Sequence, residues 1–324
     1  MSTPAIQWYP GHIAKAERQL QEQLKRVDVV LEVRDARIPL ATHHPNVPKW
    51  IGDKARILVL NRVDMISADA RQQWQDWFKD QGDRPYFVNA KQGKGVGQLA
   101  QAAKAAGKAM NDRRIKRGMR PRPVRVAVIG FPNVGKSALI NRLLKKKVVA
   151  SARRPGVTRQ LRWVRISEEL DLLDSPGVLP SKLTDQDAAL KLAICDDIGQ
   201  AGYDNQRVAS AFIDLLKTLP NWADISSGEE VINDDVVFDT ASASDGESQP
   251  GQSTPTDTLS VNTLVAKLAQ RYHLNPTDST GEGYLYDLAH HHYNGDQERM
   301  ARQVLNDFRT GNLGAVILEL PSLS

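Results

Sequence analysis

The sequence predicts an α/β protein with a parallel-rich central sheet, followed by a smaller, mainly α-helical domain. In the first half of the chain, short β-branched runs alternate with helical patterns, which is typical of parallel strands joined by crossover helices. After Val178 helical patterns follow one another with almost no strand signal between them. The 324 residues are enough for two domains, if a domain takes roughly 100–200 residues.

The elements of the first half follow from hydrophobic periodicity. Short apolar runs rich in β-branched residues predict strands at 27–33, 56–60, 86–88, 124–129, 161–166 and 170–173. Apolar residues at helical spacing predict helices at 12–26, 68–80, 96–117 and 135–144.

The second half is predicted to be helical. Amphipathic patterns lie at 187–198, 206–219, 259–272, 284–292 and 296–308, and a short terminal strand is predicted at 315–320. Residues 222–262 contain nine acidic residues and no lysine or arginine, in a stretch rich in Ser, Thr, Asp, Gly and Pro. Such a stretch buries too little apolar surface to order itself. We therefore predict a first domain at 1–184 and a second at 185–324, interrupted by a flexible acidic insertion at 224–258.

Composition excludes several classes of protein. The single cysteine, Cys195, rules out a disulfide framework and any multi-cysteine metal site. No run of 18 apolar residues is present, and the N-terminus lacks a signal-peptide pattern, so a cytosolic protein is expected. The net charge is +5, but setting aside the nine acids of 222–262 leaves 43 basic residues against 29 acidic ones, a balance of +14. A polyanionic partner is therefore expected, with the basic segment 113–125 contributing to its binding.

The strongest motif is a phosphate-binding loop. Residues 130–137 match the pattern G-x-x-x-x-G-K-[ST], with a predicted strand before them and a predicted helix after them. In such a loop backbone N–H groups cradle phosphate oxygens, the lysine reaches the β- and γ-phosphates, and the Ser/Thr hydroxyl binds Mg²⁺. The predicted phosphate-binding residues are Asn133, Val134, Gly135, Lys136, Ser137 and Ala138.

Two further segments complete the predicted phosphate and Mg²⁺ site. Asp174-Ser-Pro-Gly177 follows an apolar run, where Asp174 can hold Mg²⁺ through water and the N–H of Gly177 can contact the γ-phosphate. Between this motif and the phosphate-binding loop lies 155–159, whose Thr158 can complete the Mg²⁺ shell. The alternative for 155–159 is a mobile surface turn.

Two motifs at successive strand ends select the base. The carboxylate of Asp64 can accept hydrogen bonds from N1–H and the 2-amino group of guanine, and adenine offers neither donor. The N–H of Ala90 can donate to guanine O6. We therefore predict that the nucleotide is GTP. The predicted base-binding residues are Asn61, Arg62, Val63, Asp64, Asn89, Ala90 and Lys91.

These motifs resemble those of the translation-factor-related GTPases, but the base-reading motifs precede the phosphate-binding ones. That order is similar to the circularly permuted GTPases, and the permutation is plausible because domain termini often lie close together. Within that group, segments 7–16, 35–39 and 307–314 are similar to those of the ribosome biogenesis GTPase A family. Two positions depart from the family pattern: Arg62 stands in place of Lys, and Asn89 in place of Ser.

The resemblance implies a function and a catalytic group. It implies a GTP hydrolase that binds rRNA and large-subunit precursors in its GTP state, with rRNA contacts from the helices of 185–324, and that is released on hydrolysis. A monomer is expected. The glutamine that positions water in many GTPases is replaced here by Val178, and the resemblance implies that His12 takes this task. A histidine with its ordinary pKa of about 6.5 can orient or polarise water. The resemblance also implies K⁺ beside the phosphates, bound by the side-chain oxygen of Asn133.

The residues leave alternatives open. His12 can instead pack on Trp8 or Tyr9, and Asn133 can be a turn residue. An RNA-binding nucleotide switch with negligible turnover would use the same motifs. An ATP-using kinase or ATPase would share the phosphate-binding loop, but Asp64 and Ala90 argue against it.

Overall fold

A computed structural model of the protein describes residues 13–145, 162–174, 184–198, 203–219 and 263–321. Its centre is one six-stranded sheet in the order β3-β2-β1-β4-β6-β5. All neighbouring pairs are parallel except β5 and β6, which form an antiparallel pair at one edge. The strands are β1 (Val29–Asp35), β2 (Ala55–Asn61), β3 (Tyr86–Val88), β4 (Val124–Gly130), β5 (Arg162–Ser167) and β6 (Leu170–Asp174).

Ten helices surround or extend this sheet in the described part of the chain. They are α1 (Ile13–Leu24), α2 (Val47–Ile51), α3 (Ala68–Asp80), α4 (Val96–Lys116), α5 (Lys136–Leu143), α6 (Gln186–Cys195), α7 (Asn205–Thr218), α8 (Thr263–Tyr272), α9 (Gly281–Tyr293) and α10 (Gln297–Thr310). None of them is long and apolar enough to cross a membrane.

The parallel register brings the predicted motifs to one end of the sheet. Asp35 pairs with Asn61 across β1 and β2, and Val33 pairs with Gly130 across β1 and β4. On the other side of β4, Val128 pairs with Asp174 of β6. Ligands of open α/β sheets bind beyond the carboxyl ends of parallel strands, so the loops after these strands form one continuous surface.

The hydrophobic core continues from the sheet into the later helices. Apolar residues of β1, β4 and β6 belong to the same buried cluster as those of α6, α7, α9 and α10. Phe212 of α7 and Phe308 of α10 pack ring against ring within it, with 4.9 Å between ring centroids. The predicted boundary between residues 184 and 185 lies just before α6 and stays a prediction, as does the acidic insertion 224–258, which lies outside the described residues.

The α/β fold class, with its parallel-rich sheet and helical C-terminal region, is confirmed. The terminal strand predicted at 315–320 is wrong. This segment crosses loops rather than a sheet edge, and its backbone makes two separate hydrogen bonds, from Val316 to the carbonyl of Met65 and from Leu318 to that of Arg37. The carboxylate of Glu319 completes the attachment by accepting hydrogen bonds from the N–H groups of Leu40 and Ala41.

Candidate nucleotide site

The phosphate-binding loop lies between β4 and α5 and depends on two glycines. Gly130 has φ = 149°, and a Cβ there would lie 2.2 Å from the carbonyl oxygen of Val33. Gly135 has φ = 98°, and a Cβ there would lie 2.1 Å from Nδ2 of Asn61. Only glycine fits these positions, because any side chain would collide with neighbouring strand ends. The resulting close-packed loop fits the cradle that a nucleotide phosphate requires.

The lysine of this loop is held within it. Nζ of Lys136 donates to the carbonyl oxygens of Gly130 and Phe131, at 3.1 and 2.6 Å, and the side chain is buried. Ser137 follows in the first turn of α5, and Asp174 ends β6, the strand next to β4. A hydroxyl and a carboxylate at adjacent element ends are oxygen ligands of the kind that Mg²⁺ takes. The side chain of Asp174 lies outside the described residues.

Asn61 joins three of the predicted segments. Its Nδ2 donates to the carbonyl of Val134 at 2.8 Å, and its Oδ1 accepts from the N–H of Ala90 at 3.0 Å. The base-reading turn, the loop after β3 and the phosphate-binding loop are therefore held together by one buried amide. The N–H of Ala90 could serve Asn61 and guanine O6 together only through a bifurcated hydrogen bond, so its contact with the base stays a prediction.

The other residues predicted to contact the base occupy two tight turns. Asp64 lies in a 3₁₀ turn (Val63–Met65) with its carboxylate exposed, whereas Val63 is buried beneath it. In the second turn, Oδ1 of Asn89 accepts from the N–H of Gln92 at 2.9 Å, which fixes the turn that carries Ala90 and the exposed Lys91. Sequence reasoning missed Arg142 of α5, whose guanidinium donates to the carbonyls of Ala90 and Lys91 and holds this turn against the phosphate-binding loop's own helix.

Arg62 connects the base-reading turn to the phosphate-binding loop. The residue is left-handed (φ = 64°), and its guanidinium donates to the carbonyl of Asn133 at 2.6 Å. The same group lies 3.3 Å from the carboxylate of Asp35 and 3.8 Å from that of Asp197. A planar guanidinium can bond several acceptors at fixed angles, which explains how arginine is accommodated at this position.

Beneath Arg62 lies a buried charge cluster formed by Asp35, Arg37, Arg62 and Asp197. Arg37 is fully buried, and its Nε and Nη2 donate to the two carboxylate oxygens of Asp35 at 3.0 and 2.7 Å. Burial alone would raise the pKa of Asp35, but the guanidinium groups of Arg37 and Arg62 hold it below its ordinary value. Burial, reinforced by the charge of Asp35, raises the pKa of Asp197 to about 8. Near neutral pH, Asp35 is therefore the charged carboxylate and Asp197 the protonated one.

The C-terminal end of α6 points at the phosphate-binding loop. The last carbonyls of a helix lack partners within it and need donors from outside. Here Arg309 donates to the carbonyls of Ala193 and Ile194, at 2.7 and 2.8 Å. Arg37 donates to the carbonyl of Cys195 at 3.3 Å, and Nδ2 of Asn133 to that of Asp196 at 2.7 Å. One helix end thus contacts α10, the loop after β1 and the phosphate-binding loop.

Three predicted site residues lie outside the described part of the chain. They are His12, Thr158 and Gly177. The structure places the others at the carboxyl ends of β2, β3, β4 and β6, on one side of the sheet. Cys195 is buried and, because burial raises the pKa of its thiol, it is a packed side chain rather than a nucleophile.

Known proteins resemble this chain in sequence. A family model described as 50S ribosome-binding GTPase matches residues 125–219. Ribosome biogenesis GTPase A of Bacillus cereus is 43% identical over 204 residues, which are 63% of this chain and 69% of the relative. The protein of the same name from Thermotoga maritima is 32% identical over 203 residues, 63% of this chain and 70% of the relative.

Solved structures share the fold. The GDP-bound structure of YlqF aligns with a TM-score of 0.57 at 22% identity, covering 94% of this chain and 100% of that one. The GNP-bound structure of YlqF from T. maritima aligns with a TM-score of 0.53. At this identity the likeness concerns the fold alone, whereas the curated relatives share sequence across most of their length. The chain therefore belongs to the ribosome biogenesis GTPase A family and is a GTP hydrolase.

Proposed function

We propose that this GTPase is an assembly factor for the large ribosomal subunit. It binds rRNA and the subunit precursor in its GTP-bound state and leaves after hydrolysis, acting in the cytoplasm as a monomer. The ribosomal role is supported by the matching family model, described as a 50S ribosome-binding GTPase, and by relatives named for ribosome biogenesis.

The proposal that precursor binding depends on the bound nucleotide is supported by the hydrogen bond between Asn133 and the end of α6. This bond links the phosphate-binding loop to the first helix of the helical region. A loop that adjusts to the γ-phosphate moves the donor of this bond, and a shift of a packed helix changes the surface that the helical region offers to a partner.

We assign guanine recognition to Asp64. Inosine triphosphate (ITP) lacks the 2-amino group, so wild-type protein should bind it about 10–100-fold more weakly than GTP, the value of one hydrogen bond to a charged group. Asp64→Ala should remove most of this difference, whereas Asp69→Ala, an exposed carboxylate nearby on α3, should not. Competition against a fluorescent GDP analogue measures the affinities of the wild type and of both variants for GTP, ITP and ATP. Equal affinities of the wild type for GTP, ITP and ATP would contradict the assignment.

We assign the phosphates and Mg²⁺ to the residues predicted for them. Lys136 and the backbone N–H groups of 133–138 and Gly177 contact the phosphates, and Ser137, Thr158 and Asp174 (through water) hold Mg²⁺. Thr158→Ala should weaken Mg²⁺-dependent binding of a GTP analogue while leaving GDP binding nearly unchanged, because the predicted contact forms with the γ-phosphate present.

We assign water positioning to His12 and charge neutralisation to K⁺ held by Asn133. Hydrolysis should be faster in KCl than in NaCl at equal ionic strength, and equal rates would contradict the K⁺ assignment. Asn133 is left-handed (φ = 55°), so Asn133→Gly removes the amide while keeping that backbone conformation accessible. This variant should lose the difference between the two salts. His12→Ala should reduce hydrolysis stimulated by the precursor, and an unchanged rate would favour a switch with negligible turnover.

Sedimentation tests the ribosomal role directly. The full chain is loaded with GDP or a non-hydrolysable GTP analogue and centrifuged with large-subunit precursors. We expect the protein to sediment with the precursors when it carries the GTP analogue, and much less of it to do so when it carries GDP. Absence from the precursor fractions with both nucleotides would contradict it.

A further inference from the structure

The second half of α4 extends beyond the body of the protein. The buried residues of this helix, Val96, Leu99, Ala103 and Gly107, all belong to its first twelve positions. From Lys108 to Arg120 every residue is exposed or half-buried. We call residues 108–120 the basic projection, because six of them are cations and a single one, Asp112, is acidic: Lys108, Arg113, Arg114, Lys116, Arg117 and Arg120.

The basic segment 113–125 predicted from the sequence consists of two parts with different contacts. Arg122 donates from both of its terminal nitrogens to the carboxylate of Asp28, at 2.7 and 2.9 Å. Arg125 stacks on the ring of Trp163, with 5.8 Å between its guanidinium carbon and the ring centroid. These two arginines hold β4 to its surroundings. By contrast, among the described residues none of the six cations of the basic projection forms an ion pair with a carboxylate.

Stabilisation of the helix does not account for six cations. Lys and Arg near a helix C-terminus interact favourably with its dipole, but the effect falls off within the last turn. Arg113, Arg114 and Lys116 belong to that turn, whereas Lys108 precedes it and Arg120 follows the helix. Like charges on neighbouring residues repel one another and destabilise a helix. The cations beyond those that the helix dipole stabilises therefore indicate binding of an external anion.

Hydrogen bonds hold the backbone of the basic projection in one conformation. After α4 the chain turns back, with the N–H of Met119 donating to the carbonyl of Arg114 at 3.0 Å. The side chain of Asn111 bonds both the carbonyl and the N–H of Arg122, at 2.9 and 3.0 Å, which closes the base of the turn. A preformed surface loses little conformational entropy on binding.

The basic projection lies far from the candidate nucleotide site. α4 begins just after the loop that carries Ala90, and it ends before Val124, the first residue of β4. It therefore runs from the carboxyl ends of the strands to their amino ends. Two exposed apolar side chains, Ile115 and Met119, lie among the cations and are 56% and 39% exposed. Six cations against one acidic residue within 108–120 match the closely spaced negative charges of a nucleic-acid backbone, where each neutralised phosphate also releases a counterion.

From these observations we infer that the basic projection is a contact surface for the RNA phosphate backbone, used by the chain at the end of the sheet opposite to its GTP site. This inference rests on the proposed function, because the RNA meant is that of the large-subunit precursor. It adds a surface of the predicted first domain (1–184) to the rRNA contacts expected from the helices of the second.

The test replaces four cations of the basic projection with glutamine, in the variant R113Q/R114Q/K116Q/R117Q. Glutamine is uncharged and has a helix propensity close to that of arginine and lysine. The matched control, K25Q/K49Q/K79Q/R84Q, removes four cations exposed elsewhere on the chain. Each protein is loaded with a non-hydrolysable GTP analogue, and its affinity for purified large-subunit rRNA and for the precursor is measured between 50 and 300 mM KCl.

Loss of four phosphate contacts should flatten the slope of log K against log salt by about 3, since each contact contributes about 0.7–0.9. We expect at least tenfold weaker binding at the lowest salt for the projection variant, a change of less than twofold for the control, and unchanged GDP binding in both. Wild-type binding with equal slopes in the two variants would overturn the inference and leave the proposed function standing. Weaker precursor binding at an unchanged salt slope would assign the projection to a protein partner and overturn it as well. Failure of the wild type to bind the precursor would instead overturn the proposed function.

Discussion

Replacing Arg37 with methionine tests the buried charge cluster as the joint between the sheet and the helical region. Methionine keeps an unbranched stem but has no charge and donates no hydrogen bond. The Arg37 side chain makes two hydrogen bonds to Asp35 and one to the carbonyl of Cys195, and it lies over the ring of Phe308 at 4.9 Å. The substitution leaves the buried carboxylate of Asp35 with two partners, the backbone N–H of residue 37 at 2.9 Å and the guanidinium of Arg62 at 3.3 Å.

The expected loss follows from these contacts. Removing one partner of a buried ion pair costs about 3–5 kcal/mol. Arg62, 3.3 Å from the same carboxylate, keeps part of the compensation, whereas the lost contact with Phe308 adds about 1–2 kcal/mol. We therefore expect the free energy of unfolding to fall by about 3–5 kcal/mol, a large share of the roughly 5–15 kcal/mol that stabilises an ordinary domain.

Urea unfolding of the full chain at pH 7, followed by circular dichroism, measures this loss. If the free energy of unfolding falls by about 1–3 kcal/mol per molar urea, the midpoint of unfolding should shift down by at least about 1 M urea. Arg302→Met removes an exposed arginine paired with Glu298 and should cost less than about 1 kcal/mol. Asp35→Asn combined with Arg37→Met should cost less than the sum of the single changes. A loss below about 1 kcal/mol for Arg37→Met, with an unchanged urea dependence, would refute the reasoning.

Three further predictions concern the buried charge cluster, the nucleotide site and the packing of α4 against β4. Because the pKa of Asp197 is about 8 when folded and ordinary when unfolded, the folded state holds the extra proton between these values, and wild-type stability should fall as pH rises from about 4 to 8. Asp197→Asn keeps the neutral form, so urea unfolding should show a weaker pH dependence and higher stability than wild type at pH 8.5; identical pH profiles would contradict this. Asn61→Ala removes the bonds to Val134 and Ala90 and should weaken GDP binding about 5–100-fold by isothermal calorimetry, from two hydrogen bonds of about 0.5–1.5 kcal/mol each; unchanged affinity would show that the loops hold without it. Gly107→Ala should cost about 1–3 kcal/mol in thermal or urea unfolding, because its Cβ would lie 2.3 Å from a methyl group of Val124, whereas Gly97→Ala on the same helix, with nothing within 4 Å, should be neutral or stabilising; equal effects would contradict the packing argument.

The sequence was informative wherever the physics is local. The phosphate-binding loop, the strands that precede the base-reading turns and the helix over 68–80 depend on short-range periodicity and on residues a few positions apart. These segments match the structure to within one or two residues. The loops meet at one end of the sheet because parallel strands place their carboxyl ends together.

What the sequence did not predict depends on contacts between distant segments. Arg37 and Cys195 are 158 positions apart, and no local pattern marks their hydrogen bond or the neighbouring protonated Asp197. The helix predicted to reach residue 198 ends at Cys195, because Asp196 turns left-handed (φ = 63°) and the last carbonyls find donors outside the helix. The run 315–320 has the composition of a strand, yet loops rather than a strand edge are its neighbours.

The order of the strands has a consequence for synthesis of the chain. Strands β1, β2 and β3 are consecutive both in the sequence and in the sheet, so they can pair while the rest of the protein is still being translated. The other edge of β1 is fully buried in the finished fold, and its partner β4 begins 89 residues after the last residue of β1. During that interval β1 is an edge strand whose unpaired backbone N–H and C=O groups can pair with another chain. Nascent chains of this protein should therefore depend on protection by chaperones until β4 has emerged.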